Sequence, residues 1–253
     1  MASNLPDRCC IVGVRHDGSS KGEMRNIRSI STYFSYPEDR QTKNAILILT
    51  DFFGHEFINV QLIADQLAAN GYFVVMPDLY EGDAVSLDRP EDFDIMAWGQ
   101  KGGPESKGHG PGQVDPIIDT VIEEMRSNLG VERIGSVGYC FGAKYVARFL
   151  AKGKGVDVGA MAHPSFVDAD EIRAIERPLT IAAAEIDHVF SEDMRHETER
   201  ILKEGKKIYQ ITLYSGVEHG FAVRSEMSKK EVKYAKEATF LLQVQWFQPE
   251  KDA

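Results

Sequence analysis

The run Gly138-Tyr139-Cys140-Phe141-Gly142 carries the sharpest chemical signal in this chain. It lies between an apolar run over 134–137 and a helical pattern over 143–150. Glycines two before and two after Cys140 permit a tight, strained strand-to-helix turn, which holds the middle side chain up at the carboxyl edge of a sheet. The N–H of Phe141 opens the following helix, at the positive end of its dipole. That position lowers a thiol pKa and stabilises an oxyanion beside it. Cys140 therefore reads as a nucleophile and Phe141 as an oxyanion donor. A lone cysteine is usually a small buried hydrophobe, and the glycine frame is what argues against that reading here.

Partners follow later in the chain. Asp187 lies just past the apolar run 179–184, and His219 follows the alternating run 208–214. A histidine exchanges protons near neutrality and suits the base, while a carboxylate behind it fixes the tautomer and stabilises the imidazolium. Glu185 and Asp193 compete with Asp187 for the acid role; Asp187 is preferred for its place at the strand end. His55 and His163 also stand at expected strand ends, where each could line the site or serve the fold.

These groups need a scaffold that gathers distant strand ends. The apolar run 45–50, the turn Asp51-Phe52-Phe53-Gly54 and a helix-period run from Asn59 to the stop at Asn70-Gly71 form one strand-turn-helix cycle. Strands are expected at 72–76, 133–137, 158–162, 179–184 and 208–214. Helices are expected at 114–129, 143–150, 194–203 and 229–246. Alternating strands and helices imply an α/β fold with a mostly parallel, doubly wound sheet and helices on both faces. Residues 27–36 read as one or two antiparallel edge strands. The stretch 78–113, rich in Gly, Pro and charge, interrupts the rhythm and reads as a long loop or lid within a single domain spanning 1–253. Trp98 and Phe93 in it could form an apolar cover or pack on the body, and His109 among its glycines reads as mobile loop.

The chain has 253 residues, with 29 Lys+Arg against 39 Asp+Glu and a net charge of −10. An acidic balance disfavours nucleic acid and anionic membranes as partners. Three cysteines, Cys9, Cys10 and Cys140, do not make a disulfide framework, so a reducing, cytoplasmic setting is expected. No signal peptide and no membrane span is expected. Adjacent Cys9-Cys10 cannot copy C-x-x-C metal spacing; an N-terminal surface or half-buried segment is the expectation there. Neither a Walker pattern nor a dinucleotide fingerprint occurs.

Four stretches resemble the dienelactone hydrolases of the α/β-hydrolase superfamily, and most of all their fungal cytosolic members. They are Thr50-Asp51-Phe52-Phe53-Gly54-His55-Glu56, Asn70-Gly71-Tyr72 with Pro77-Asp78-Leu79-Tyr80, the Cys140 pentapeptide, and Glu218-His219-Gly220-Phe221-Ala222. The resemblance implies an α/β-hydrolase fold and a Cys-His-Asp triad of Cys140, His219 and Asp187. It also implies a second oxyanion donor at the N–H of Phe52. A family glutamate that positions the thiol is matched by Asp51, one methylene shorter. An arginine that bacterial members carry after the Asp-Leu-Tyr turn is replaced by Glu81-Gly82-Asp83, and a second is matched by Arg224, five residues past His219. With His163, Asp51 and Arg224 form the substrate-binding or thiol-positioning set. The expected activity is hydrolysis of a small ester or lactone in general, rather than of an anionic dienelactone, through a thioester. No metal and no organic cofactor is expected, and the protein would act as a monomer or homodimer. The competing expectation is a non-catalytic or redox-sensing thiol protein on the same scaffold.

Overall fold

The computed structural model describes residues 2, 14–90, 92–103 and 107–248; Cys9 and Cys10 lie outside them. The strands are β1 (Glu23–Ile27), β2 (Ile30–Ser35), β3 (Asn44–Leu49), β4 (Phe73–Pro77), β5 (Arg133–Tyr139), β6 (Val158–Ala162), β7 (Leu179–Ile186) and β8 (Tyr209–Glu218). The helices are α1 (Ile58–Ala69), α2 (Ile95–Lys101), α3 (Pro111–Ser127), α4 (Phe141–Phe149), α5 (Ala169–Ala174), α6 (Glu192–Glu204) and α7 (Lys230–Phe247). The strands form one sheet in the order β1-β2-β4-β3-β5-β6-β7-β8. β1 and β2 are an antiparallel edge hairpin, and β2 meets β4 antiparallel; every other pairing is parallel.

Strand composition follows from covering both faces of this sheet. In β3, Ala45, Leu47 and Leu49 enter one core, while Ile46 and Ile48 enter the other. Each such burial is worth about 1.5–3 kcal/mol, so an all-apolar strand is stable only with helices on both sides. The first core takes Ile118 and Val121 of α3, Tyr145 and Phe149 of α4, Ile172 of α5 and Leu202 of α6. The second takes Val60 and Leu67 of α1 with Val232 and Phe247 of α7.

Because β3 and β5 to β8 run parallel, their carboxyl ends lie along one edge of the sheet. Asp51, Cys140, His163, Asp187 and His219 each fall within two residues of such an end. The β5–α4 junction is the tightest point. A Cβ on Gly142 would stand 2.0 Å from the Leu49 carbonyl oxygen, and one on Gly138 would stand 2.5 Å from the Gly142 oxygen. Only glycine allows the α4 N-terminus to press onto the end of β3 and the chain to turn back on itself within four residues.

The stretch 78–113 is more ordered than a bare loop. Asp94 caps α2 by accepting from the N–H groups of Met96 and Ala97, each at 2.9 Å. The Trp98 indole N–H donates to the Asp83 carbonyl at 2.9 Å, and His109 Nε2 lies 2.8 Å from Asp83 Oδ2. Trp98 thus packs on the body, and His109 is buried rather than mobile. α3 starts at Pro111, three residues earlier than the periodicity predicts, because proline suits the first helical position. No helix among the described residues is long and apolar enough to cross a membrane.

Gly142→Ala is expected to lower the free energy of unfolding in urea by about 3 kcal/mol, the upper range for overpacking, since backbone rather than a flexible side chain is in the way. Gly99→Ala, with nothing within 4 Å of the added carbon, should instead leave stability unchanged or raise it by up to about 1 kcal/mol.

Candidate active site

Cys140 occupies the turn between β5 and α4 with φ +51° and ψ −110°, a region that side chains rarely adopt. Its own N–H is used, donating to the Ala162 carbonyl at 3.1 Å, and its carbonyl accepts from the N–H of Ser165 at 3.1 Å. The β6 end therefore clamps the strained residue from one side. His219 Nε2 lies 3.2 Å from Cys140 Sγ, and His219 Nδ1 lies 2.9 Å from Asp187 Oδ2. Asp187 is anchored in turn: its Oδ1 accepts from the N–H groups of Val189 and Phe190 at 2.8 and 2.9 Å. Both carboxylate oxygens are satisfied, which holds the imidazole in one orientation.

The rival acids lie elsewhere. Glu185 is exposed and accepts from Ser215 Oγ and the Gly216 N–H. Asp193 sits in the first turn of α6, exposed.

Charge favours an ionised pair at the centre. Burial works against an imidazolium at His219, but the Cys140 thiolate and hydrogen bonds to Asp187 and Cys140 more than offset it, and its pKa is raised to about 10. For Asp187, burial pushes up and the His219 contact with two backbone donors pulls further down, leaving it below the ordinary carboxylate range. The Asp187 carboxylate and a protonated His219 ring thus stand in line with Cys140 Sγ, in a dry setting where charges interact strongly.

Phe52 and Phe141 flank the sulfur's turn. Neither N–H donates to any group among the described residues. Phe141 is the first residue of α4, and Phe52 follows β3 in the turn that Gly142 meets. Their rings are 5.3 Å apart between centroids, and Phe52 also meets Trp98 at 5.4 Å. A cavity of about 210 Å³ opens beside Phe141, lined by Ile95, Met96, His109, Tyr145 and Phe166 among others.

Asp51 does not stand alone beside the thiol. Its Oδ2 lies 2.7 Å from Arg224 Nη1, and its Oδ1 accepts from the Phe53 N–H at 3.2 Å. Burial raises the Asp51 carboxyl, and Arg224 opposes that shift. Both side chains are buried, so Arg224 belongs to an internal ion pair and presents no exposed cation. His163, at the end of β6 with φ +39°, sets its ring 5.1 Å from that of His219. Its ring stands beside the Cys140 thiol, and burial lowers its pKa to about 4, so it is neutral. His55 Nε2 lies 2.9 Å from Ser31 Oγ, and His55 Nδ1 lies 3.8 Å from Asp78 Oδ1.

Two contacts have no counterpart in the sequence reading. Ser165 Oγ lies 3.4 Å from Cys140 Sγ, and the Tyr80 hydroxyl donates to the Asp51 carbonyl at 2.9 Å. The Asp-Leu-Tyr turn marks Tyr80, but nothing local marks Ser165, which reaches the sulfur only because β6 lies beside β5. Among the described residues, no group of three or more His, Cys, Asp or Glu side chains is placed to hold a metal ion.

Comparison with known proteins agrees with this architecture. Residues 30–251 match the Dienelactone hydrolase family. The chain is 50% identical over 249 residues to Hydrolase tropI of Talaromyces stipitatus, covering 98% of this chain and 97% of that one. It is 49% identical over 247 residues to Hydrolase pyvD of Aspergillus violaceofuscus, covering 98% of each. A solved protein from Klebsiella pneumoniae superposes with a TM-score of 0.74 at 16% identity, covering 91% of this chain and 99% of that one, a likeness of fold. The match spans β2 to β8 and every group at the carboxyl edge of the sheet: the chain is an ester or lactone hydrolase and belongs to the dienelactone hydrolase family.

Proposed function

We propose that this hydrolase cleaves a small ester or lactone by covalent catalysis, with Cys140 as nucleophile, His219 as proton carrier and Asp187 as the carboxylate that orients it. The supporting observation is the continuous line from Asp187 Oδ2 through the His219 ring to Cys140 Sγ, with contacts of 2.9 and 3.2 Å. The thiolate attacks the carbonyl carbon, and the carbonyl electrons move onto oxygen. Phe52 and Phe141 N–H groups receive that oxyanion, each worth about 3–4 kcal/mol in the transition state. Collapse breaks the carbon–oxygen bond; the leaving oxygen takes the proton from His219 Nε2, and a thioester remains on Sγ. A water then gives its proton to Nε2 as its oxygen attacks the thioester, and expulsion of the thiolate releases the acid. The sum is ester plus water to acid plus alcohol.

The surroundings suit this cycle. The apolar cavity beside Phe141 is the place for the substrate's body. His163 stays uncharged, so it adds no second cation that would compete with His219 for the thiolate. The Asp51–Arg224 pair positions the turn carrying Phe52 rather than touching a substrate. A reduced thiol of this kind fits a cytoplasmic setting.

Turnover of a 4-nitrophenyl ester with a transient acyl adduct on Cys140, seen by mass spectrometry, is the expected result, and Cys140→Ala should remove both. A sulfenic product under peroxide with no ester turnover would favour the redox-sensing reading. His219→Ala should lower kcat by about 10²–10⁴-fold. The acylation rate should stay level from neutral pH and fall as pH rises through about 10, where His219 loses its proton; a fall already at the ordinary histidine pKa would contradict the ionised pair. Asp51→Asn should cost about 3–5 kcal/mol of stability in urea unfolding, since it removes the carboxylate from a buried ion pair.

A further inference from the structure

Ser31, His55 and Asp78 meet on the β2–β4 side of the sheet, away from the β5 turn that carries Cys140. Each comes from a different element. Ser31 stands near the start of β2, which runs antiparallel to β4, and its carbonyl accepts at 2.8 Å from the N–H of Asp78, just past the end of β4. His55 stands in the turn after β3, where its carbonyl accepts from Gln61 Nε2 at 3.1 Å. The Asp78 carboxylate is fixed at both oxygens, Oδ1 by the Tyr80 N–H at 2.9 Å and Oδ2 by the Gly82 N–H at 2.6 Å. His55 Nε2 lies 2.9 Å from Ser31 Oγ, while Nδ1, which makes no hydrogen bond, stands 3.8 Å from Asp78 Oδ1. His55 and Asp78 are buried and Ser31 is half-buried. All three line a cavity of about 430 Å³ that no residue of the Cys140 triad lines.

The charge around the ring decides where its proton sits. A lone pair on Nδ1 would face a carboxylate oxygen 3.8 Å away and be repelled, whereas an N–H there is attracted. The proton is therefore on Nδ1, and Nε2 accepts from the Ser31 hydroxyl. Burial outweighs the opposing pull of Asp78 and Glu56 and lowers the His55 pKa, so the ring is neutral at pH 7 and Nε2 is free to take a proton. We propose that Ser31 is a second nucleophile, acylated in this cavity by an activated ester of a small carboxylic acid, with His55 as its base and Asp78 as the positioning carboxylate. The Ser31 oxygen bonds to the carbonyl carbon as its proton passes to His55 Nε2. The carbon–oxygen bond to the leaving group then breaks, and the departing oxygen takes that proton. The sum is ester plus serine to acylserine plus alcohol. Phe53, Val85 and Leu87 offer apolar walls for the ester. Arg15 and Glu56 also line the cavity, both exposed and opposite in charge, which suits an uncharged ester.

The test uses the full chain with Cys140→Ala, which removes the competing thiol and makes the outcome independent of the mechanism above. On treatment with 4-nitrophenyl acetate it should release a burst of about one equivalent of 4-nitrophenolate, with the acetyl group located on Ser31 by tandem mass spectrometry. Ser31→Ala in this chain should abolish the burst. His55→Gln should slow it by about 10²–10⁴-fold, since glutamine still accepts from the hydroxyl but carries no proton. The burst rate should be level at neutral pH and fall only below the ordinary histidine value, as His55 becomes protonated. Should either added substitution prevent folding, as read by circular dichroism, the location of the acetyl group and the pH profile still decide. The proposal is overturned if Ser31 carries no acetyl group, if His55→Gln reacts as fast, or if the rate follows a group titrating above the ordinary histidine value.

Discussion

At the carboxyl edge of the sheet, the Leu49 carbonyl oxygen and the α carbon of Gly142 approach so closely that a methyl carbon on residue 142 would lie 2.0 Å from the oxygen. This contact sets the geometry of the rest of the site. It brings the first turn of α4 against Leu49 and Thr50, where β3 gives way to the turn that carries Asp51 and Phe52. It also forces the chain at Cys140 through a strained backbone conformation, which the β6 end stabilises by hydrogen bonds to both the N–H and the carbonyl of that residue. Strain of this kind persists only where the surrounding structure over-determines it, and here the two neighbouring strands, β3 and β6, do so.

Around that turn the chain spends its buried charge in two pairs. Asp187 with His219 lies on one side and Asp51 with Arg224 on the other, all four side chains buried. A buried ion pair is weak grounds for stability, because desolvation consumes much of the Coulombic gain. Its presence beside a thiol makes better sense as positioning and as control of proton location. The first pair keeps a proton on the imidazole. The second braces the turn that carries Phe52, with Tyr80 holding the Asp51 carbonyl from behind. His163 completes the surroundings as a neutral ring, so it adds no charge beside the imidazole of His219.

The segment from Asp78 to Pro111 shows how a polar, glycine-rich stretch becomes part of the body. Asp83 accepts from the Trp98 indole through its carbonyl and reaches His109 through its carboxylate, so one residue ties two parts of the segment together. Trp98 then rests against Phe52, Tyr80 and His109. The aromatic wall of the Cys140 site is in this way continuous with a segment whose sequence reads as a loop.

The sequence by itself determines the α/β alternation, because strands covered on both faces must be apolar throughout and helices must show one apolar stripe. It also determines the order of Cys140, Asp187 and His219 and the glycine frame of the turn, since these are local patterns beside strand ends. Short helices such as α5, whose six residues carry one buried side chain, leave too little periodicity to be read. The partners of each site residue are a matter for the tertiary structure alone. That Arg224 is consumed by Asp51, that Ser165 stands near the sulfur and that His109 is buried on Asp83 all depend on which strands and helices lie side by side. Those neighbours are set by packing between residues far apart in the chain, and no local run of residues records them.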